Sequence, residues 1–396
     1  MRRCETYDEG EVLRAVTAAL DDLGGISAFV KPGEKVLLKA NLLMEKRPED
    51  ATLTHPAVLK AMIEILTANG NPVTIGDSPG GPFNDSMLSR IYRTGGYAAL
   101  ADQTGAALNR NYASCSRENP RGLLLKRLTM TDMLNDHDKV ISVSKLKTHG
   151  MMTYTGAVKN LFGTIPGIMK AEYHLNMPEY DNFADALIDI CLAANPVLSV
   201  MDGIVGMEGH GPSAGEPRSL GVLLAGANPF ALDRIACEII SLPPEKVPTL
   251  RRAIARELSG ADLPDITTLG DAPQSFKVSD FAIPKPSRIN PSKSLPPFIQ
   301  KAMSRVLQPR PHFLHDKCVG CGVCGESCPV KVISFPEKRK PKADLDGCIR
   351  CYCCQELCPV KAVVIKRPLL MKLFVENAFS SLTGAIIKKI QYRKRT

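Results

Sequence analysis

The chain has 396 residues and a net charge of +9, with no tryptophan and few aromatics. That length holds one large domain and a small one, or two to three modest ones, of ordinary globular composition. The scarcity of aromatics argues against a base-stacking platform, so nucleic acid is not an expected partner; no run of about eighteen apolar residues is present to form a spanning helix.

Residues 1–282 read as alternating helices and short apolar strands. Glu9–Leu23 has helical periodicity, Lys35–Ala40 is a strand ending at Asn41, and His55–Ala68 is a helix closed by Asn69-Gly70-Asn71-Pro72. Val73–Ile75 is a second strand leading into Gly76-Asp77-Ser78-Pro79-Gly80, followed by helices over Asp85–Arg93 and Tyr97–Leu108. Val140–Val143 is a strand running into Lys145-Leu-Lys-Thr-His149, and Phe183–Ala194 is a helix before the strand Val197–Val200. Leu220–Ala225 is a further strand, with the helix Ala231–Ile240 after it. This alternation predicts an α/β fold: a large, mostly parallel sheet between two helical layers.

Met1-Arg2-Arg3-Cys4-Glu5 is not followed by an apolar stretch, so no secretion leader is expected and the location is read as cytoplasmic. Residues 283–311 form a basic, proline-rich linker with one short helix at Phe298–Leu307. The tail at 369–396 is basic and partly amphipathic; it either packs on its own protein or touches a membrane surface peripherally.

Between linker and tail, 312–368, lies the strongest signal. Cys318, Cys321, Cys324 and Cys328 obey C-x2-C-x2-C-x3-C-P, and Cys348, Cys351, Cys354 and Cys358 repeat it. Three thiolates two residues apart wrap a loop around a [4Fe-4S] cubane, and the fourth reaches the other cluster. Cluster one is therefore assigned to Cys318, Cys321, Cys324 and Cys358, and cluster two to Cys348, Cys351, Cys354 and Cys328. Structural zinc favours separated C-x2-C pairs, and disulfide frameworks belong to short secreted chains. Cys353 falls outside the pattern and reads as a spare thiol beside cluster two. The result is a small α+β, two-cluster ferredoxin-like domain.

In the large domain, polar residues gather after strand ends, the usual ligand crevice of an open α/β sheet. Lys145, Lys147, His149, Lys159 and Asp202 are the candidate catalytic group: lysines bind anions, and a lysine or histidine can move protons. Asn41, Asp77, Asn160, Glu208, Gly209 and Gly211 are candidates for holding a ligand or an additional organic cofactor, glycines letting the backbone approach it. Each could also be an ordinary turn residue or ion pair. No phosphate-binding G-x4-G-K-[ST] motif is present.

Lys145-Leu-Lys-Thr-His149, Gly156-Ala-Val-Lys-Asn-Leu-Phe-Gly163, Met201-Asp-Gly-Ile204 with Glu208-Gly-His-Gly-Pro212, and Asn228-Pro-Phe-Ala-Leu-Asp233 resemble the iron–sulfur proteins of domain-of-unknown-function family 362 over about Val36–Asp271. The resemblance implies an α/β domain accompanied by a ferredoxin module and leaves the substrate open. Two functions are compatible with these features. One is an oxidoreductase whose clusters exchange single electrons with an anionic substrate. The other is an electron carrier or redox sensor docking on a partner: a ferredoxin, a flavodoxin or a reductase.

Overall fold

The computed structural model describes residues 1–167, 169–177, 179–284, 310–328, 330–337, 340–348 and 353–366. The linker helix expected at Phe298–Leu307 and the tail lie outside the described residues.

Among the described residues, eight strands form one sheet. These are β1 (Arg2–Arg3), β2 (Val36–Lys39), β3 (Val73–Gly76), β4 (Ala107–Leu108), β7 (Lys139–His149), β8 (Thr153–Thr155), β9 (Leu198–Glu208) and β10 (Glu216–Gly226). Their order is β1-β10-β9-β7-β2-β3-β4, with β8 folded back on β7. The run from β9 to β4 is parallel, while β10 and β1 add antiparallel strands on one side.

Residue parity explains the layers. Val36 and Leu38 face one helical layer, α1 (Glu9–Asp21) and α2 (Pro56–Ala68), whereas Leu37 faces α7 (Tyr180–Ala194) on the other side. All four residues of β2 are buried, as expected for a strand covered on both faces. The helix α8 (Pro229–Ile239) starts at Asn228, whose side chain accepts from the N–H groups of Phe230 and Ala231, with Pro229 in the first helical position.

Three elements differ from the sequence reading. The strands β7, β9 and β10 run to eleven residues each, so Lys145, Lys147, His149 and Asp202 lie within strands rather than beyond them. Buried pairing of their polar side chains hides the strand from a hydropathy pattern. The helix at Tyr97 stops at Thr104, because Gly105 takes a left-handed conformation, and Ala107–Leu108 becomes an edge strand. The hairpin β5 (Ser114–Glu118) with β6 (Arg127–Thr131) was not expected; β5 alternates exposed and half-buried residues without a strong apolar signal.

The small module pairs β11 (Arg310–Phe313) with β14 (Val363–Lys366), and β12 (Ile333–Glu337) with β13 (Lys340–Ala343). One-turn helices at Val323–Glu326 and Cys353–Glu356 occupy matching places in its two halves. It is α+β, and its first strand begins at Arg310.

Within the large domain, the buried carboxylate of Asp189 on α7 gathers the N–H groups of Leu123, Leu124 and Leu125 and the Arg256 guanidinium at 2.6–2.9 Å. Removing it strands three amides and leaves the Arg256 guanidinium only its 3.4 Å pairing with Asp185. Asp189→Ala is expected to lower unfolding free energy by about 3 kcal/mol or more, read from urea denaturation; a loss under about 1 kcal/mol would contradict this role.

Candidate active-site cleft

The ends of β2 and β3 lie side by side, so Lys39 and Asp77 meet beneath the surface: Lys39 Nζ is 2.9 Å from Asp77 Oδ1, with both side chains buried. Lys39 also donates to the Ala40 carbonyl (2.7 Å) and Asn160 Oδ1 (3.0 Å). Burial pulls the Lys39 pKa down, and Asp77 pulls it back. Asp77 further accepts from the N–H groups of Leu42 and Ser78 at 2.7 and 2.8 Å.

The segment Gly156–Gly163 lies over this pair. Its helical turn α5 (Ala157–Asn160) is anchored by Asp233, which accepts from the N–H groups of Ala157 (2.6 Å) and Val158 (3.1 Å) and from the Tyr154 hydroxyl (3.1 Å). Burial pushes the Asp233 carboxyl up to about 7. Two glycines are required here by space. A side chain at Gly156 would collide with Tyr154 and Asp233, and one at Gly163 with Asp77 and Lys39. Asn160 is then held by the Lys39 carbonyl and the Ser142 hydroxyl at 3.1 and 2.9 Å.

Above this buried base, Asp77, Lys159, Asn160 and Gly163 line one wall of a cleft of about 840 Å³, open mouth included. Lys147, at the far end of β7, donates to Asn41 Oδ1 (2.6 Å) and the Thr52 carbonyl (2.7 Å). Lys159 and Lys170 hold their ammonium groups 5.6 and 6.0 Å from the centre of the Phe162 ring. Lys170 donates to the carbonyls of Ser78, Pro79 and Ile165 and to the Ser78 hydroxyl at 2.6–3.2 Å. Burial lowers its pKa to about 7, opposed by Asp77 and reinforced by Lys39 and Lys159. The opposite wall belongs to the small module: Glu326, Ser327, Cys353 and Leu357. Leu357 seats against Gly80, where a methyl group would come within 2.8 Å of it, and Lys361 donates to the Gly215 carbonyl at 3.0 Å.

Of the residues named from sequence, Asn41, Asp77, Lys147, Lys159 and Asn160 line this cleft. Lys145 and Asp202 do not. They make a separate buried ion pair (2.8 Å) that holds Tyr7, whose hydroxyl accepts from Lys145 and donates to Asp202. Tyr7 in turn stacks on His55, and burial lowers the His55 pKa to about 4. His149 accepts the N–H groups of Met151 and Met152 at 3.1 and 3.2 Å and so shapes the β7–β8 turn. Glu208 and Gly209 fasten the segment at Ala282, and Gly211 accepts from Gly150 N–H. Lys39 was overlooked because a single lysine in an apolar strand carries no pattern. Phe162 lies in the Gly156–Gly163 stretch but carries no polar group to mark it, and Lys170 stands alone beyond it.

In the module, Cys324, Cys354 and Cys358 pack together with Cys318 at their edge. Burial, then the neighbouring Cys321, raises the Cys324 thiol to about 11, with Cys358 and Cys318 also contributing. Thiols crowded this way fit ligation of a cluster, which relieves the cost of their ionisation. Cys358 Sγ also accepts from Ala362 N–H at 3.1 Å, the kind of N–H···S contact that tunes cluster potential. Among the described residues no three His, Cys, Asp or Glu converge as for one bound ion; a cubane needs no such convergence, since each thiolate binds a different iron. Cys351 lies outside the described residues. Cys353 is buried and faces the cleft.

An α/β sheet domain carrying a lysine-lined cleft, walled by a two-cluster ferredoxin module, defines an iron–sulfur electron-transfer protein. The 4Fe-4S dicluster domain matches residues 317–362, and the domain of unknown function DUF362 matches residues 36–238, so the chain belongs to the DUF362 family. A thylakoid-associated protein of Synechocystis sp. is 36% identical over 253 residues, 63% of this chain and 76% of that one. Among solved structures, the lactate racemase apoprotein of Thermoanaerobacterium thermosaccharolyticum has a TM-score of 0.35 at 13% identity. A protein from Thermotoga maritima has 0.31 at 11%. Each covers 57% of this chain, which spans 53% and 56% of theirs.

Cys321→Ser is expected to remove one ligand of cluster one, lowering iron from about eight to about four per chain in anaerobically purified protein. Unchanged iron and visible absorption would refute the ligand assignment.

Proposed function

We propose that the protein is an oxidoreductase that acts on a small anionic molecule bound in the cleft. The observation that carries this reading is the shared wall. Glu326 and Ser327 directly precede Cys328, and Cys353 directly precedes Cys354, both assigned to cluster two, and all three line the cleft opposite the lysines. Two [4Fe-4S] clusters supply single electrons when bound. The chain's own residues bind, orient and protonate. Lys147 and Lys159 hold the anion, and Lys159, only half-buried, exchanges protons with solvent. Lys170 ties the Ser78–Pro79 loop to the Ile165 turn and keeps the cleft's shape.

A carrier reading draws on the exposure of Cys321 and on the thylakoid association in the relative's name. It has the chain relaying electrons to a partner at a membrane surface, to which the basic tail contributes. No helix among the described residues is long and apolar enough to cross a membrane.

Lys147→Met tests the shared wall on which the enzyme reading rests. In an anaerobic redox titration it is expected to lower one cluster's midpoint potential by roughly 35–70 mV and leave the other nearly unchanged. That is the effect of one charge at about 10 Å and an effective dielectric of about 20–40. No shift, or equal shifts in both clusters, would contradict the enzyme reading.

A further inference from the structure

The cleft's two walls differ in charge and in polarity, which constrains what fits between them. Lys147, Lys159 and Lys170 line the sheet side, where Asp77 is already engaged by the buried Lys39. Among the described residues lining the cleft, the module side contributes Glu326 and no cation. An anionic group is therefore drawn to the sheet and repelled from the module.

The apolar surface has its own distribution. Leu357 stands on the module side, and Leu43, Pro79 and Pro212 join it around the cleft. Phe162 lies between the two lysines, its ring fixed edge-on against Tyr173 (5.8 Å between centres) and Phe183 (5.6 Å). A flat apolar group can lie beside Phe162 while an anionic head reaches Lys159.

Backbone geometry argues against inorganic phosphate. A phosphate cradle offers several free N–H groups from a loop. Here three of those beside the cleft are committed: Ser78 N–H to Gly163 O (3.0 Å) and Asp77, Gly80 N–H to Leu43 O (3.5 Å), and Gly167 N–H to Ser78 Oγ (2.8 Å). Recognition falls to the side-chain ammonium groups of the sheet side, which suit a carboxylate.

We infer that the cleft binds an organic carboxylate with an apolar, ring-sized body, its carboxylate against Lys147 and Lys159 and its body against Phe162 and Leu357. This rests on the cleft being the substrate site, as proposed above. The orientation turns the body, rather than the charge, towards the wall formed by Ser327 and Cys353.

The test is anaerobic isothermal titration calorimetry on the full-length, cluster-loaded chain with three probes: benzoate, benzyl alcohol and inorganic phosphate. Benzoate is expected to bind at least about tenfold more tightly than either other probe. Lys159→Ala should weaken benzoate at least about tenfold, and Lys159→Arg should restore most of it, separating charge from folding. Phosphate binding as well as benzoate would overturn the organic class while leaving an anion cleft. Benzyl alcohol matching benzoate would overturn the carboxylate-first orientation. Failure of all three probes to bind would overturn both this inference and the cleft's role as substrate site.

Discussion

The ion pair between Lys39 and Asp77 is the contact on which the cleft is built. Two fully desolvated charges are costly to bury and are tolerated only with good geometry and filled hydrogen-bonding capacity. Both conditions are met: the ammonium has three acceptors and the carboxylate two backbone donors beside its partner. The pair joins the ends of two parallel strands, and Gly163 must lack a side chain to lie over it. Asn160 bonds Lys39 directly, so this pair and the Asp233 anchor together position the segment bearing Lys159 and Phe162. Losing either charge would leave the other buried and uncompensated.

From that base the structure divides its lysines by purpose. Lys145, two residues from Lys147 on the same strand, is spent on Asp202 and Tyr7. The β7–β9 register breaks between Lys145 and Lys147, so the two neighbours serve different surroundings. Lys170 is surrounded by neutral oxygens and acts as a strut between loops. Only Lys147 and Lys159 combine a place in the cleft with a position suited to an incoming anion. The same economy holds for glycine: Gly156 and Gly163 answer to crowding, not to a phosphate.

How much of this the sequence revealed depends on the kind of constraint. The cluster cysteines are legible because spacing alone fixes their geometry, and the parallel strands because burial on both faces leaves unbroken apolar runs such as Val36-Leu37-Leu38. The lysine and glycine stretches could be recognised as a group but not sorted, since a strand register shift leaves no mark in composition. Lys39 was invisible as a lone charge in an apolar strand, and the strands through Lys145 and Asp202 were cut short by their own polar residues. Least legible was the meeting of cleft and module. It depends on small contacts, Leu357 on Gly80 and Lys361 on Gly215, separated by well over a hundred residues of chain.

The central claim is that the lysine-lined cleft and cluster two share a wall. An experimental structure of the anaerobically purified, cluster-loaded protein tests it most directly. The account predicts two cubanes, with the one held by Cys328 and Cys354 lying behind Ser327, Cys353 and Leu357 and facing Lys147 and Lys159 across the cleft. A module seated elsewhere on the α/β domain, or the other cluster behind that wall, would contradict it.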